Sequence, residues 1–438
     1  MAPRDLRQLC ALLETRGQLR RIPTPVSAEG EIAEVADRVA RRGGGALLFE
    51  SVEGRTGAVL VDAFGGPERV AAALGADRLD QIGERLGGVV GLARAALAGG
   101  VGERLKALGG LAQVGQTAPR RVARAPCQQV VETSPSLEAL PVPSRADGHR
   151  SLRHALLVTR DPSTGACRVA GARPEVVDGR RLRLEASTDG RGPAAVVLGA
   201  DPATLFASQV PLPPDVDPLV LAGFLRRAPV ELVAGRRARV DVPAQAEWVF
   251  EGRLVDGLFE VDAVTHRRDP LLPWSSSGRD ERWLARASER LFLPLVRLIH
   301  PEVVDLAAPT EDGFRGLVLV AIQKEYAGQP QKVIAGLFGM MPTMLARAIV
   351  VLDAAVPLDD PAACAAAVVK NVDWRRDLLV LDGPIDELGP AGRVGPKVGA
   401  DATARAEPEP ERTAAPDGAA AEVAALVDRK WAAYGIPL

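Results

Sequence analysis

The first part of the chain alternates between helical and strand-like spacing of apolar residues. In DLRQLCALLETRG apolar residues recur every three or four positions and stop at Gly17, which predicts a helix with a glycine stop. EIAEVADRVARRGG predicts a second helix, GALLFESVEG and AVLVDAFG predict short strands, and GPERVAAALGA predicts a helix with Pro67 in its first turn. Residues 81–125 are rich in glycine and alanine. We therefore expect an α/β region with a linker over residues 1–125.

From residue 126 to about residue 300 the apolar pattern shortens to Val-rich, alternating segments. Glycine, proline and aspartate separate these segments, as expected of turns between strands. The pattern predicts an antiparallel barrel or sandwich over residues 126–300. The segments are CQQVVET, LRHALLVTRD, RRLRLEAS, AAVVLGAD, ELVAGRRARVDVP and EWVFEGRLVDGLFEVDAVTHR.

Strand and helix patterns alternate again over residues 301–400. RGLVLVAIQ, RAIVVLDAAV and DLLVLDG predict strands, with helices near QKVIAGLFGMM and PAACAAAVVKNV, which indicates a parallel or mixed sheet. Residues 401–418 are rich in proline and charge and predict a flexible linker. Residues 419–438 predict a last helix that docks back through Trp431 and Tyr434.

The stretch VFEGRLVDGLFEVDAVTHRRDP predicts two strands joined by a tight turn. Polar and apolar residues alternate up to Val255, Asp256-Gly257 gives a two-residue turn signal, and alternation then resumes. Glycine favours such a turn because it accepts positive φ angles without steric cost.

Composition limits the classes of protein that fit the chain. Of 438 residues, 47% are hydrophobic and 25% charged, and the net charge is −2, so no overall field attracts nucleic acid or an anionic membrane. No apolar run reaches about 20 residues, and the N-terminus MAPRDLRQLC lacks the apolar core of a signal peptide. The four cysteines show no CxxC spacing. We expect a cytoplasmic protein without a membrane span, structural zinc or a nucleic-acid partner.

Eight segments, spread in order over nearly the whole chain, carry a resemblance to a known family. They are DLRQLCALLETRGQLRRI, ADRVARRGGGALLFESVEG, FGGPERVAAALG, LAGFLRRAPVELV, VTHRRDPLL, ERLFLPLVR, PEVVDL and VGPKVGADAT. Together they resemble the UbiD family of prenylated-FMN-dependent decarboxylases (3-octaprenyl-4-hydroxybenzoate carboxy-lyase-like). The resemblance implies an α+β fold, with a central split β-barrel of the flavin-binding kind flanked by N-terminal and C-terminal α/β regions. It also implies action on aromatic or α,β-unsaturated acids, with prenylated FMN, a divalent metal, potassium and a Glu–Arg–Glu network for acid–base work.

The chain departs from the family at the hairpin. The family's strand end Glu-Gly is followed by a long loop with the motif Glu-Gly-Pro-Phe-Gly-Glu, whose glutamates complete the network. Here Glu251-Gly252 matches the strand end, and the loop is absent between Glu251 and Val261. Asp256 and Glu260 are the carboxylates nearby, and we expect both to lie close to solvent. A general acid needs contact with the reacting atom and a pKa raised by burial, so neither is expected to replace the lost glutamates.

The metal ligands and the catalytic arginine of the family also have no match. His149 stands where the ligand asparagine belongs, and His154 stands where the arginine belongs. Arg153 is one position off, and on a strand a shift of one residue turns a side chain to the opposite face. The positions of the other two metal ligands fall near Ala172 and at 217–218, where Asp217 is the one plausible ligand. We therefore predict no metal site and no catalytic residue set.

A cofactor cradle persists in outline. Ser208 lies in ASQVPLPPD, the loop WSSSGRDE spans 274–281, and Lys397 matches a family lysine that reaches the cofactor phosphate. His149 and Ser151 complete the set of candidate cofactor-binding residues. Each of these residues could also have no role in cofactor binding, because serines also cap turns and lysines near a C-terminus are usually solvated.

These matches and losses favour a UbiD-like protein without the family's decarboxylase machinery. We expect a non-catalytic paralogue or accessory subunit of a (de)carboxylase with no cofactor, assembled as a homo-oligomer or with a full-motif UbiD subunit. The alternative is an active carboxy-lyase with a rearranged site, in which His149, His154 and Asp217 surround FMN or prenylated FMN with a divalent metal. A purely structural homo-oligomer is a third interpretation. The substrate and the oligomeric state stay open.

Overall fold

The structure, a computed structural model, describes residues 1–98, 115–145, 148–161, 165–184, 192–213, 216–276, 278–310, 313–385, 392–404 and 421–431. The helices in these residues are α1 (Leu6–Thr15), α2 (Glu31–Arg41), α3 (Pro67–Ala73), α4 (Asp80–Ala98), α5 (Pro202–Gln209), α6 (Pro218–Arg226), α7 (Arg279–Ile299), α8 (Gln329–Phe338), α9 (Pro361–Asn371) and α10 (Ala421–Lys430). The first strands are β1 (Leu19–Ile22), β2 (Ala46–Phe49), β3 (Ala58–Val61), β4 (Arg120–Arg121), β5 (Val130–Glu132), β6 (Ala155–Arg160), β7 (Cys167–Ala172), β8 (Glu175–Val176), β9 (Arg181–Arg183) and β10 (Gly192–Leu198). The later strands are β11 (Glu231–Ala234), β12 (Asp241–Pro243), β13 (Trp248–Val255), β14 (Leu258–His266), β15 (Leu271–Trp274), β16 (Val303–Ala307), β17 (Leu317–Ile322), β18 (Ala348–Asp353), β19 (Leu378–Pro384) and β20 (Val394–Asp401).

The N-terminal region is a mixed sheet with helices packed against it. The strand order is β1-β2-β3-β15, so a strand from far along the chain closes this sheet in parallel with β3. Helix α1 begins where the Asp5 side chain accepts from the backbone N–H of Gln8 over 2.8 Å. It is followed by Gly17 at φ 66°, in agreement with the predicted glycine stop.

The central region is an antiparallel sheet that curls into a half-barrel. Its order is β7-β6-β10-β13-β14-β9-β8, with β5 also paired to β14. A small sheet of order β12-β11-β4 lies beside it. The arrangement confirms the predicted α+β fold with antiparallel strands at its centre.

The predicted hairpin is present as β13 and β14. Val255 pairs with Leu258, so Asp256 and Gly257 alone form the turn, with φ 50° and 78°. The alternation is broken by a β-bulge between Glu251 and Gly252, where the register with β14 shifts. A Cβ on Gly252 would lie 1.8 Å from the backbone oxygen of Glu260, so the bulge needs glycine at this position.

The C-terminal region is a five-stranded mixed sheet, as predicted. Its order is β16-β17-β18-β20-β19, with β17, β18 and β20 mutually parallel and the two edge strands antiparallel to their neighbours. The long helix α7 leads from β15 to β16 and contains Pro294. Helix α10 lies in the segment predicted as a docking helix, whereas Tyr434 and the predicted linker residues 405–418 lie outside the described residues.

Two large apolar clusters hold the regions together. One contains Leu9, Val197, Leu291 and Val320, so it runs from α1 through the half-barrel and α7 to the C-terminal sheet. The other packs the N-terminal sheet onto the inner face of the half-barrel through residues such as Phe250. Within the described part of the chain, no helix is long and apolar enough to cross a membrane.

Candidate functional site

An open cavity of about 280 Å³ lies at one end of the half-barrel. This volume is close to the lower end of the range of about 300–1,000 Å³ that is typical of small-molecule sites. Arginine dominates its wall, and two of the predicted cofactor residues, His149 and Ser151, belong to it. The lining residues are His149, Ser151, Arg153, Arg173, Glu175, Arg183 and Leu184.

Glu175 organises one wall of the cavity. Its carboxylate is hydrogen-bonded to Nδ1 of His149 and accepts from Arg183 over 3.1 Å. The hydrogen bond from His149, followed by the charge of that ring and the Arg183 guanidinium, lowers the pKa of Glu175 below its usual range. Ser151 lies opposite Glu175 in an isolated bridge between the two backbone segments. This wall therefore holds an ionised carboxylate with two basic partners.

Arg173 differs from the other two arginines of the cavity because its guanidinium is not paired with a carboxylate among the described residues. It follows β7, is exposed, and makes no hydrogen bond or ion pair within the described residues. A guanidinium is a planar fork of donors that matches phosphate and carboxylate oxygens. Arg173 is therefore the cavity residue best placed to bind an anionic group.

Arg153 also lines the cavity and is held by the first turn of α7. It donates to Glu281 over 2.8 Å, and Glu281 also accepts from the Ser275 hydroxyl over 2.8 Å. Burial would raise the pKa of Glu281, but the charges of His154 and Arg153 and the hydrogen bonds from Arg153 and Ser275 outweigh it and lower the pKa to about 2. Glu281 is therefore ionised at neutral pH and orients Arg153.

His154 does not face away from Arg153, so the expectation of opposite faces is wrong. Its Nε2 lies 3.0 Å from Asp280 Oδ2, and both side chains are 1% exposed. Residue 154 precedes β6 and has φ 59°, a left-handed conformation that interrupts strand alternation. Arg153 and His154 therefore both reach the start of α7.

The hairpin offers no buried acid to this cavity. Glu251 is fully buried, and its carboxylate accepts from the backbone N–H groups of residues 236–238 over 2.6–2.9 Å. Asp256 and Glu260 are exposed, as expected from the turn. The carboxylates of this hairpin are either locked into the backbone or solvated.

The remaining predicted residues lie away from the cavity lining. Ser208 donates to the Leu205 carbonyl over 2.7 Å within α5. Lys397 is buried in β20, donates to the Met344 carbonyl and lies 5.2 Å above the ring of Phe338. The roles of Ser208 and Lys397 stay predictions.

The described residues do not offer a metal cage. Asp217 caps α6, accepting from the backbone N–H of Leu219 over 2.9 Å, and Ala172 lies on β7. Among the residues that the structure describes, no group of three or more His, Cys, Asp or Glu side chains is placed to hold a metal ion.

A second cavity, of about 410 Å³, lies between α3, the start of α4 and α7. Its wall mixes arginines with carboxylates, including Arg290 and Asp80 at 3.9 Å from each other. None of the predicted site residues lines it.

Sequence reasoning missed Arg173, Glu175 and Arg183. They occur in ACRVAGARPEVVDGRRLRLE, where basic and acidic residues follow or interrupt short strands. A cluster of charges at strand ends was the available signal, but strand pairing was needed to bring these residues to one cavity.

Comparison with known proteins identifies the family. The chain matches the N-terminal domain of 3-octaprenyl-4-hydroxybenzoate carboxy-lyase over residues 10–86, its Rift-related domain over 120–258 and its C-terminal domain over 282–402. This chain belongs to the UbiD family. An uncharacterized protein of Archaeoglobus fulgidus is 32% identical over 98% of both chains, and one of Aquifex aeolicus is 32% identical over 99% of both.

Solved UbiD structures share the fold. The UbiD-class enzyme HmfF from Pelotomaculum thermopropionicum, in complex with FMN, is 27% identical, with a TM-score of 0.72 over 93% of this chain and 96% of that enzyme. An evolved dimeric form of HmfF with prFMN is 26% identical, with a TM-score of 0.73 over 92% and 96% of the two chains. Vanillic acid decarboxylase of Sedimentibacter hydroxybenzoicus, at 21% identity and a TM-score of 0.75 over 94% of both chains, supports the fold alone.

These structures correct the expectation that the UbiD-family chain binds no cofactor. Both forms of HmfF hold a flavin, FMN in one and prFMN in the other. The expectation was wrong because it treated the missing acid–base and metal residues as evidence against the flavin itself. A cavity lined with arginines needs none of those residues to bind a phosphate.

Proposed function

We propose that this UbiD-family protein binds an FMN-type flavin in the arginine-lined cavity but lacks the family's acid–base route to decarboxylation. It would act as an accessory subunit or non-catalytic paralogue of a (de)carboxylase. The observation that carries the proposal is the two-residue turn at Asp256-Gly257, which stands where the family carries its glutamate loop.

The cavity wall supports the flavin half of the proposal. Arg173, with Arg153 and Arg183 beside it, would hold the flavin phosphate, because guanidinium groups bind phosphate oxygens through paired N–H donors. Leu184 offers an apolar contact to a ring system. A bound flavin supplies the electron-accepting ring on which carbon dioxide loss depends in the family.

The hairpin supports the non-catalytic half. A positioned general acid contributes about 10²–10⁴-fold to a rate, and it must lie within hydrogen-bond reach of the reacting atom. Glu251 has its carboxylate enclosed by three backbone N–H groups, and Glu260 is exposed on β14. Neither residue meets that requirement.

The second candidate function is an active carboxy-lyase with a rearranged site. It is favoured by the pairing of His149 with Glu175 inside the cavity wall. A carboxylate bound to Nδ1 fixes the ring, so that Nε2 can donate or accept a proton. In this case the cofactor would be prenylated FMN or FMN with a divalent metal.

One experiment separates the two functions. The full chain is expressed with and without a flavin prenyltransferase, and bound flavin is measured by visible spectrum and mass spectrometry. The loaded protein is then assayed for carbon dioxide release from aromatic and α,β-unsaturated acids. The proposal expects bound flavin, no release, and co-purification with a full-motif UbiD subunit. Release that disappears in His149→Ala would establish the second candidate instead.

We also propose assembly through the C-terminal sheet. Trp374, Val380 and Val394 are 61%, 67% and 72% exposed around its β19 edge, and large exposed apolar side chains there suit a protein partner. Whether that partner is a second copy or a full-motif subunit stays a prediction. The domain boundaries at residues 125, 300 and 400 and the cytoplasmic location also stay predictions.

A further inference from the structure

Two pairs of consecutive residues face each other behind the cavity wall. Arg153 and His154 precede β6, and Asp280 and Glu281 belong to the first turn of α7. Arg153 pairs with Glu281 at 2.8 Å, and His154 pairs with Asp280 at 3.0 Å. Only Arg153 of these four residues lines the cavity.

We propose that Asp280 and His154 are positioning residues for the flavin cavity: their buried pair fixes the first turn of α7, and Glu281 in that turn holds Arg153 in the cavity wall. The inference rests on the proposed flavin-binding function, because it assigns both residues to that site. Neither Asp280 nor His154 lines the cavity.

Asp280 ties the start of α7 to two separate parts of the molecule. Its Oδ1 accepts from the backbone N–H of Phe64 over 3.0 Å, and its Oδ2 bonds His154. The ring of Phe64 also packs edge-on against His154, with centroids 5.5 Å apart. The N-terminal region, the half-barrel and α7 therefore meet at this one carboxylate.

The backbone of His154 supports a specific role for the pair. A φ of 59° is uncommon for a residue with a side chain, and such a conformation persists where the surrounding contacts hold it. The side chains of Arg153 and His154 both contact the first turn of α7. Without the left-handed conformation, strand alternation would separate the two side chains.

Other charged groups surround the pair. Glu281 and Asp62 add negative charge, and Arg153 and the buried Arg69 add positive charge. Burial raises the pKa of Asp280 to about 6, against the hydrogen bond and charge of His154. For His154, burial lowers the pKa, but the hydrogen bond and charge of Asp280 outweigh it and raise the pKa. The ion pair is therefore lost as Asp280 takes up a proton when the pH falls through about 6.

The experiment compares the full-length protein with Asp280→Asn, His154→Gln and the control Asp360→Asn. Asp360 is an exposed aspartate at the N-cap of α9, so it is also an aspartate near the start of a helix but does not line the cavity. FMN affinity is measured by fluorescence titration between pH 5 and 8. Hydrogen exchange of peptides covering residues 279–290 is measured without flavin, which makes it independent of the proposed function.

In both variants we expect faster hydrogen exchange at the start of α7, because the His154–Asp280 hydrogen bond is lost. We also expect roughly tenfold weaker FMN binding, because Arg153 is then no longer held in position for a charge-assisted hydrogen bond to the ligand. The control should match the native protein in both measurements. The difference in FMN affinity between the native protein and Asp280→Asn should shrink as the pH falls below about 6, because protonated Asp280 is uncharged like asparagine. The phosphate of FMN titrates equally in both measurements and cancels in this comparison.

Unchanged exchange in both variants would overturn the positioning role, whatever the flavin result. FMN binding equal to that of the native protein, despite faster exchange, would overturn it as well. Faster exchange in a protein whose native form binds no FMN would support the anchor at α7 and would refute the proposed flavin function.

Discussion

The β13–β14 hairpin and the start of α7 each hold a glutamate of low exposure, Glu251 at 0% and the Glu281 side chain at 12%, and the two carboxylates have different surroundings. Glu251 is enclosed by three backbone N–H groups of residues 236–238. Glu281 accepts from the side chains of Arg153 and Ser275, and Arg153 belongs to the cavity wall. The first carboxylate stabilises a loop, whereas the second orients a side chain that lines the cavity.

The difference shows where chemistry can remain in this UbiD-family fold. The Glu251 carboxylate cannot move toward a substrate without losing three backbone N–H donors, one of which, that of Ala238, is buried. The Glu281 carboxylate, in contrast, binds the side chain of Arg153 and so fixes the position of a residue that lines the cavity. The glutamate of the hairpin therefore has a structural role, and the glutamate at the start of α7 positions a residue of the cavity wall.

The largest expected effect concerns the hairpin bulge. Gly252→Ala places a Cβ 1.8 Å from the backbone oxygen of Glu260, so the strands must shift. We expect a loss of about 3 kcal/mol or more in the free energy of unfolding, measured by chemical denaturation. Gly88→Ala is the control, because its Cβ meets nothing within 4 Å in helix α4. Equal stability of the two variants would show that the bulge has room for a Cβ at position 252.

The second prediction concerns Glu281 and pH. The folded pKa of about 2 lies below the usual 4.5, so the ionised group stabilises the fold above about pH 4.5, and this stability is lost as the pH falls toward 2. Glu281→Gln should cost on the order of 3 kcal/mol at pH 7, and the deficit should shrink below pH 4.5. Thermal unfolding between pH 3 and 7 measures this difference in the free energy of unfolding, and Glu260→Gln, at an exposed position, is the control. A deficit that is independent of pH would contradict the ion pair.

The third prediction concerns the ligand contact itself. Arg173→Gln removes the guanidinium that has no partner within the described residues, and we expect FMN affinity to fall roughly tenfold to a hundredfold. Arg253→Gln, on β13 with a side chain 67% exposed, is the matched control. The titration should leave the control unchanged. Equal affinity of both variants would place the phosphate elsewhere.

The smallest effect is expected at the hairpin tip. Asp256→Asn keeps a residue that tolerates the positive φ of the turn, and the site is exposed. Stability should change by less than about 0.5 kcal/mol, and FMN affinity should not change. A clear change in the flavin spectrum of this variant would mean that the hairpin tip reaches the cofactor.

The fold could be predicted from sequence because its signals are local. The hairpin follows from Asp256-Gly257 between alternating runs, and the end of α1 follows from Gly17. The mixed C-terminal sheet follows from alternating strand and helix patterns. Each of these signals lies within a few residues of the feature that it specifies.

The site could be predicted only in part, because its contacts join distant residues. Arg173, Glu175 and Arg183 meet through strand pairing, and Arg153 meets Glu281 across 128 positions. The left-handed backbone of His154 could not be predicted, because only a few per cent of residues other than glycine adopt positive φ, although histidine is one of the types in which it is more frequent. The alternation rule therefore separated two neighbouring side chains that the structure brings together.

The most direct test of the account is an assay of the flavin-loaded protein for carbon dioxide release. The purified chain is saturated with FMN or prenylated FMN, binding is verified by spectrum and mass, and aromatic and α,β-unsaturated acids are supplied. We predict stable flavin binding that depends on Arg173, with no release of carbon dioxide above the flavin-free control. Sustained release by the native chain, lost in Glu175→Gln but kept in Glu260→Gln, would contradict it.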